Sequence, residues 1–146
     1  MRHEAKAILK NTSVNVHPDE FAILSLDLDH WAKLLEDQSL GPNGKAPFMI
    51  FSDPYEVTLL LNRPDFERVR HAIDDSRVEM SFRLLTFTTE LDFAVVGFLA
   101  EVSRILAEAN ISICVLSSFS RDHLLVRQDD LARALNALGP HVEELC

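Results

Sequence analysis

The order of strand-like and helix-like segments, met twice along the chain, predicts an α+β fold. It is that of tandem ferredoxin-like βαββαβ modules, with antiparallel sheets packed against helices. Two observations carry this. Residues 82–126 read as strand, turn, helix, strand and strand, with a glycine where the helix begins. The stretch from Phe21 to Ile73 is weakly similar to that from Phe82 to Leu138, the last helices, Phe66-x-x-Val69 and Leu131-x-x-Ala134, matching with a one-residue gap.

The chain has 146 residues, enough for one ordinary domain or two small fused ones. Apolar residues make up 47% and charged residues 25%, so a real core can form and disorder is excluded. Fourteen basic side chains stand against twenty-three acidic ones, a net charge of −9. That field repels nucleic acid and anionic membrane, and the arginines form no basic stripe. The start, Met1 to Lys6, precedes no apolar run long enough for a signal peptide or a membrane span. Cys114, in an expected core strand, and Cys146, expected as a loose terminal thiol, make no disulfide framework. A cytoplasmic, reduced protein is expected.

In the first half, Ala5 to Val16 reads as a weak strand, broken at Pro18-Asp19, and Phe21 to Leu28 as a stronger one. Asp29 is the expected cap of a short helix from His30 to Asp37, with Trp31, Leu34 and Leu35 on one face. Leu40-Gly-Pro-Asn-Gly-Lys45 is a loop, and Phe48–Phe51 and Glu56–Leu61 are strands joined at Ser52-Asp-Pro-Tyr55. A helix follows. Pro64 suits its first turn, Asp65 and Glu67 its positive end, and Phe66, Val69 and Ile73 form its apolar stripe. Asp27, Asp29, Asp74 and Asp75 read as solvated caps and turns.

The second half begins, after Asp74-Asp-Ser76, with a strand from Val78 to Thr88. Glu90 to Phe93 turns the chain, and a helix runs from about Val95 to Ala109. Its expected buried face is Val95, Leu99, Val102, Leu106 and Ala109, with Glu101, Arg104 and Glu108 toward solvent. Asn110 suits a left-handed stop. Ile111–Leu116 and His123–Val126 are strands around the polar turn Ser117-Ser-Phe-Ser-Arg-Asp122. The last helix starts at Asp129 and ends at Gly139-Pro140. Each half is β-α-β-β-α, which places one module in residues 1–76, with a degenerate first helix and an extra N-terminal strand, and the second in residues 77–146.

In this order and spacing, Leu91-Asp-Phe-Ala-Val-Val-Gly-Phe-Leu-Ala100, Leu106-Ala-Glu-Ala-Asn-Ile-Ser-Ile113 and Ser117-Ser-Phe-Ser-Arg-Asp-His-Leu-Leu-Val126 resemble the ACT-domain family. The resemblance is to the short bacterial-type tandem-ACT proteins related to arginine sensors. It is best over Phe82 to Leu138 and weaker over Phe21 to Ile73. It implies ACT-type modules that bind an amino acid or similar zwitterion at an interface between modules. The loop before the first helix would grip the ligand, which by position points to Asp92, Phe93, Val95, Val96, Gly97 and Phe98. Asp122 stands where tandem members meet the ligand's polar end, bordered by Ser118 and Ser120. Two features depart from the family. Val96 replaces the proline common before the helix glycine, and only His141 to Cys146 remain for the final strand. The N-terminal strand is expected to fill that edge.

Physics supports such a site. A helix N-terminus offers unpaired N–H groups and about half a positive charge, which suits a carboxylate. Gly97 allows close approach to the backbone. Asp92 or Asp122 can pair with an ammonium or guanidinium, which favours basic amino acids slightly. The same residues have plainer roles open to them: Asp92 as a helix cap, Asp122 as a turn residue, Gly97 as an aid to close packing.

No catalytic or metal-binding pattern emerges. The six histidines share no ligand spacing, the serines lack a nucleophile elbow, and no glycine-rich phosphate loop exists. No cofactor, metal or enzymatic activity is expected. The expected function is a regulatory amino-acid sensor, acting through self-association as a homodimer or through a protein partner, since 146 residues leave no room for an attached enzyme domain. The alternative is a ligand-free interaction or dimerisation module whose pocket is filled by Phe93 and Phe98.

Overall fold

A computed structural model describes residues 2–37, 45–73 and 77–146. The expected loop at Leu40–Gly44 and the expected turn at Asp74–Ser76 lie outside the described residues. The chain divides into two compact units, Asp19–Ser81, and Met1–Pro18 together with Phe82–Cys146. The first eighteen residues, expected with the first module, thus group with the second. Both units are α+β, with antiparallel strand pairs covered by helices.

In the unit Asp19–Ser81, Phe21–Leu26 of β1 (Ser13–Leu26) pairs antiparallel with β3 (Val57–Asn62), and β3 pairs antiparallel with β2 (Met49–Ser52). Strand alternation turns Ala22, Leu24 and Leu26, and Val57, Leu59 and Leu61, into one core. The expected stripe of Phe66, Val69 and Ile73 closes it, carried largely by α3 (Arg63–Val69). Asn62 caps this helix, its side-chain oxygen accepting the Asp65 N–H at 3.1 Å.

The helix α2 (Leu28–Glu36) is capped by Asp27 rather than Asp29. The Asp27 carboxylate accepts the His30 N–H at 2.8 Å, and that backbone bond holds its pKa below the ordinary value. Leu34 is buried and Trp31 packs against the core, but Leu35 is 62% exposed. It lies one residue, about 100°, further round the helix than Leu34.

The other unit pairs Phe82–Thr86 of β4 (Arg77–Phe87) antiparallel with β6 (Asp122–Arg127), and β6 with β5 (Cys114–Ser117). The segment expected as a strand from Ala5 divides in two. Arg2–Lys10 forms a helix, α1, and the strand begins only at Ser13. Glu4 to Lys10 are strong helix formers apart from Ile8, and Ala5, Leu9 and Thr12 recur at helical spacing and are buried. The strand portion does run along the edge expected for it: the Thr88 N–H donates to the Ser13 carbonyl at 3.0 Å. A short final strand, β7 (Glu144–Leu145), pairs parallel with Ser13 and Val14. Cys146 is no loose end. Its N–H donates to Val14 O at 2.7 Å and its carbonyl accepts from Val16 at 2.9 Å.

Helix α4 (Phe98–Glu108) starts three residues later than expected, and its buried face is Phe98, Glu101, Val102, Ile105 and Leu106. Glu101 was expected toward solvent, but α1 packs on α4 and leaves it 6% exposed. Arg104 holds the carboxylate with two bonds, at 2.6 and 3.3 Å, and reaches Glu108 at 2.9 Å. A bidentate guanidinium is what makes a buried carboxylate tolerable. Asn110 is the expected left-handed stop, at φ 59°. Ile111 N–H donates to Leu106 O at 3.0 Å and Asn110 N–H to Ala107 O at 2.9 Å, the two bonds of a Schellman motif. Helix α5 (Leu131–Leu138) adds Ala134 and Leu138 to the core.

Leu9, 1% exposed, is the central apolar anchor of α1. Leu9→Ala is expected to lower the unfolding free energy by about 2–4 kcal/mol in urea titration. A loss under about 0.5 kcal/mol, the size of a surface substitution, would mean α1 is not part of this core.

Candidate functional site

The β4–α4 loop is shaped by its own side chains. The Asp92 carboxylate accepts the Ala94 N–H at 2.7 Å, and the Asp92 carbonyl accepts the Val95 N–H at 3.0 Å. Asp92 therefore closes an Asx turn and does not cap the helix, whose first residue lies six positions on. Gly97 occupies the left-handed region at φ 92°. A Cβ there would meet Ala5 Cβ at 3.8 Å, an ordinary contact, so backbone conformation and not crowding calls for glycine.

Phe98 drives into the core and meets Phe87 edge to face, ring centroids 5.5 Å apart. That anchor sets the start of α4. No side chain caps the helix, so the N–H groups of its first turn have no intrahelical acceptor.

The β5–β6 hairpin turn faces this loop. Ser118 N–H donates to the Arg121 carbonyl at 2.9 Å, and the Ser118 hydroxyl accepts the Arg121 N–H at 3.2 Å. The two segments are tied together. Leu91 N–H donates to Ser120 O at 2.6 Å, and Arg121 Nε donates to Thr88 O at 2.9 Å. Phe93 and Phe119 meet edge to face, centroids 5.3 Å apart at 90°.

Between the loop, the start of α4 and the hairpin lies a cavity of about 310 Å³. Of the residues singled out in the sequence, Asp92, Phe93, Val95, Gly97, Phe98, Ser118, Ser120 and Asp122 line it. Val96 does not; it is half-exposed outside the lining. Leu91, Leu99, Ala100, Ser117, Phe119 and Arg121 also line the cavity and were not anticipated. Phe119 was legible as an apolar residue inside an otherwise polar turn; Arg121 carried no signal separating it from a solvated turn residue.

The cavity is not filled by Phe93 and Phe98. Phe98 is core, 3% exposed, and Phe93 stands at the rim, 80% exposed. The Asp122 carboxylate accepts the Ser117 hydroxyl through one oxygen at 2.7 Å, and Arg121 is the cation of the lining. Beneath the turn, His123 lies opposite Thr86 in the sheet, Nδ1 2.8 Å from the Thr86 hydroxyl and Nε2 3.3 Å from that of Ser118. Burial pushes the His123 pKa below the ordinary value; Arg121 adds to this and Asp122 opposes it. Among the described residues no group of His, Cys, Asp and Glu is arranged to hold a metal, and no helix is long and apolar enough to cross a membrane.

Strand order, helices and this loop-and-hairpin cavity define an α+β module of ferredoxin-like design. Residues 77–139 match the model of the ACT domain. A protein from Agrobacterium tumefaciens superposes over 93% of this chain and 92% of its own, with 22% identity and a TM-score of 0.71. The aspartate kinase of Clostridium acetobutylicum matches 91% of this chain over 35% of its own length, with 12% identity and a TM-score of 0.69. The regulatory subunit of aspartate kinase from Thermus thermophilus, in a ligand-free form, matches 91% of this chain and 98% of its own, with 12% identity and a TM-score of 0.63. No curated protein matches the sequence. Residues 77–139 are thus similar to an ACT domain, and the solved structures share the fold of the chain.

Two outcomes are expected. Gly97→Ala costs about 1 kcal/mol of stability through backbone strain, seen as a lower thermal midpoint. His123 has a folded pKa below its unfolded value near 6.5, so the unfolded state binds its proton first. Its contribution is therefore complete above that value and is lost as pH falls through the folded pKa. Unfolding midpoints measured from neutral pH down to about pH 5 should fall less steeply in His123→Gln than in the parent chain.

Proposed function

We propose that the chain is a non-catalytic regulatory protein whose effector is a free amino acid, bound in the cavity of the unit that contains β4, α4, β5 and β6. The effector's carboxylate takes the uncapped N–H groups at the start of α4, and its ammonium takes Asp122. The observation that carries this reading is that one cavity holds both a helix N-terminus without a side-chain cap and a carboxylate with hydrogen-bonding capacity to spare. The ACT-domain match over 77–139 supports a regulatory, small-molecule-binding role, as does a fold shared with aspartate kinase regulatory subunits. Regulation requires that the effector favour one conformation or assembly over another. The readout is self-association or the binding of a regulated protein.

A second reading, an interaction module acting without ligand, draws on β2. This strand pairs with β3, and Phe48, Ile50 and Phe51 are 45%, 41% and 58% exposed. An exposed apolar edge of this kind suits pairing with a second copy.

A thermal-shift screen against the free amino acids separates the two. An amino acid at about a hundred times its dissociation constant should add roughly 2.7 kcal/mol of stability. That gain should disappear in Asp122→Ala at the same concentration. No response at millimolar concentration, together with a dimer that Phe51→Lys dissociates in sedimentation, would replace the sensor by the interaction module.

A further inference from the structure

The rim of the cavity points to the class of effector. Phe93 and Phe119 are 80% and 83% exposed, yet they hold one another edge to face at 5.3 Å. They come from separate segments, the loop and the hairpin turn, which are tied by the Leu91–Ser120 and Arg121–Thr88 hydrogen bonds. Two aromatic rings kept in water at a cavity mouth are unfavourable unless something apolar covers them. Leu91, Val95 and Leu99 continue the apolar wall inward.

Charge excludes an acidic side chain. Arg121 lines the cavity, but its guanidinium donates to Thr88 O at 2.9 Å and pairs with Glu90 at 3.4 Å, so its charge is largely balanced. Asp92 and Asp122 each spend one oxygen within the protein, on the Ala94 N–H and the Ser117 hydroxyl, and Asp122 is assigned to the ammonium under the reading above. An acidic side chain would meet both carboxylates. Between a basic and a neutral side chain the exposed aromatic rim decides, and it favours a neutral, apolar one.

We propose that the effector is an amino acid with a large apolar side chain, aromatic or branched aliphatic, seated against Phe93 and Phe119. This inference rests on the amino-acid reading of the site. The rings supply area and edge-to-face geometry for the side chain, and the start of α4 and Asp122 hold its polar end.

The test is calorimetric titration of the full chain with L-phenylalanine, L-leucine, L-arginine, L-lysine, L-aspartate and glycine, repeated on Phe119→Ala. Phe119 is largely exposed, so the variant should keep its thermal midpoint. Expected are binding of phenylalanine or leucine in preference to arginine, lysine and aspartate, and a loss of about tenfold or more in that affinity in Phe119→Ala. Tighter binding of arginine or lysine would overturn the inference and leave the amino-acid site standing. So would an affinity for phenylalanine or leucine unchanged by Phe119→Ala. Binding of none of the six would overturn the site reading and this inference with it.

Discussion

The candidate site depends on one backbone constraint, the left-handed conformation at Gly97 immediately before a residue anchored in the core. Phe98 packs on Phe87 and cannot shift along the chain without opening the core. The chain ahead of it must reverse direction in one residue, and only glycine does so without strain. The reversal leaves the first turn of α4 uncapped and turned into the cavity. Glycine also brings no side chain that could accept these N–H groups in place of a ligand. The same glycine serves the fold and exposes the chemistry.

The rest of the cavity is held by bonds that leave its functional groups available. Asp92 and Ser118 spend hydrogen-bonding capacity on local turns, which stiffens the loop and the hairpin. One main-chain bond, Leu91 to Ser120, and the Arg121 side chain on the Thr88 carbonyl fix their separation. Asp122 keeps part of its carboxylate free of protein donors. Rigid walls with few unspent polar groups are how a small site gains orientation without losing affinity to ordering.

Within the first two turns of α4 the same unit solves a different problem. The packing of α1 on α4 buries Glu101, and Arg104 compensates from the next turn. From the sequence, Glu101, Arg104 and Glu108 look like an exposed ladder of helix neighbours, and the ladder exists. The burial of Glu101 is not legible there, because the segment that covers it reads as a strand. Alternation at Val14 and Val16 masked a helical spacing at Ala5 and Leu9. A short weakly patterned segment carries both periods, and the partner surface selects between them.

The sequence by itself determined the fold class, the order of most elements, the Asn110 stop, the stripe of Phe66, Val69 and Ile73 on and just beyond α3, and the glycine that opens α4. These rest on local physics: period, capping, turn chemistry and the absence of a side chain. It also singled out eight of the residues that line the cavity, since the loop and the hairpin are contiguous in the chain. Tertiary structure alone decided that Glu101 is buried, that the chain's first eighteen residues group with its second half, and that Phe93 and Phe119 meet at the rim. Each of these depends on segments far apart in sequence coming together, and no local pattern of residues encodes that distance.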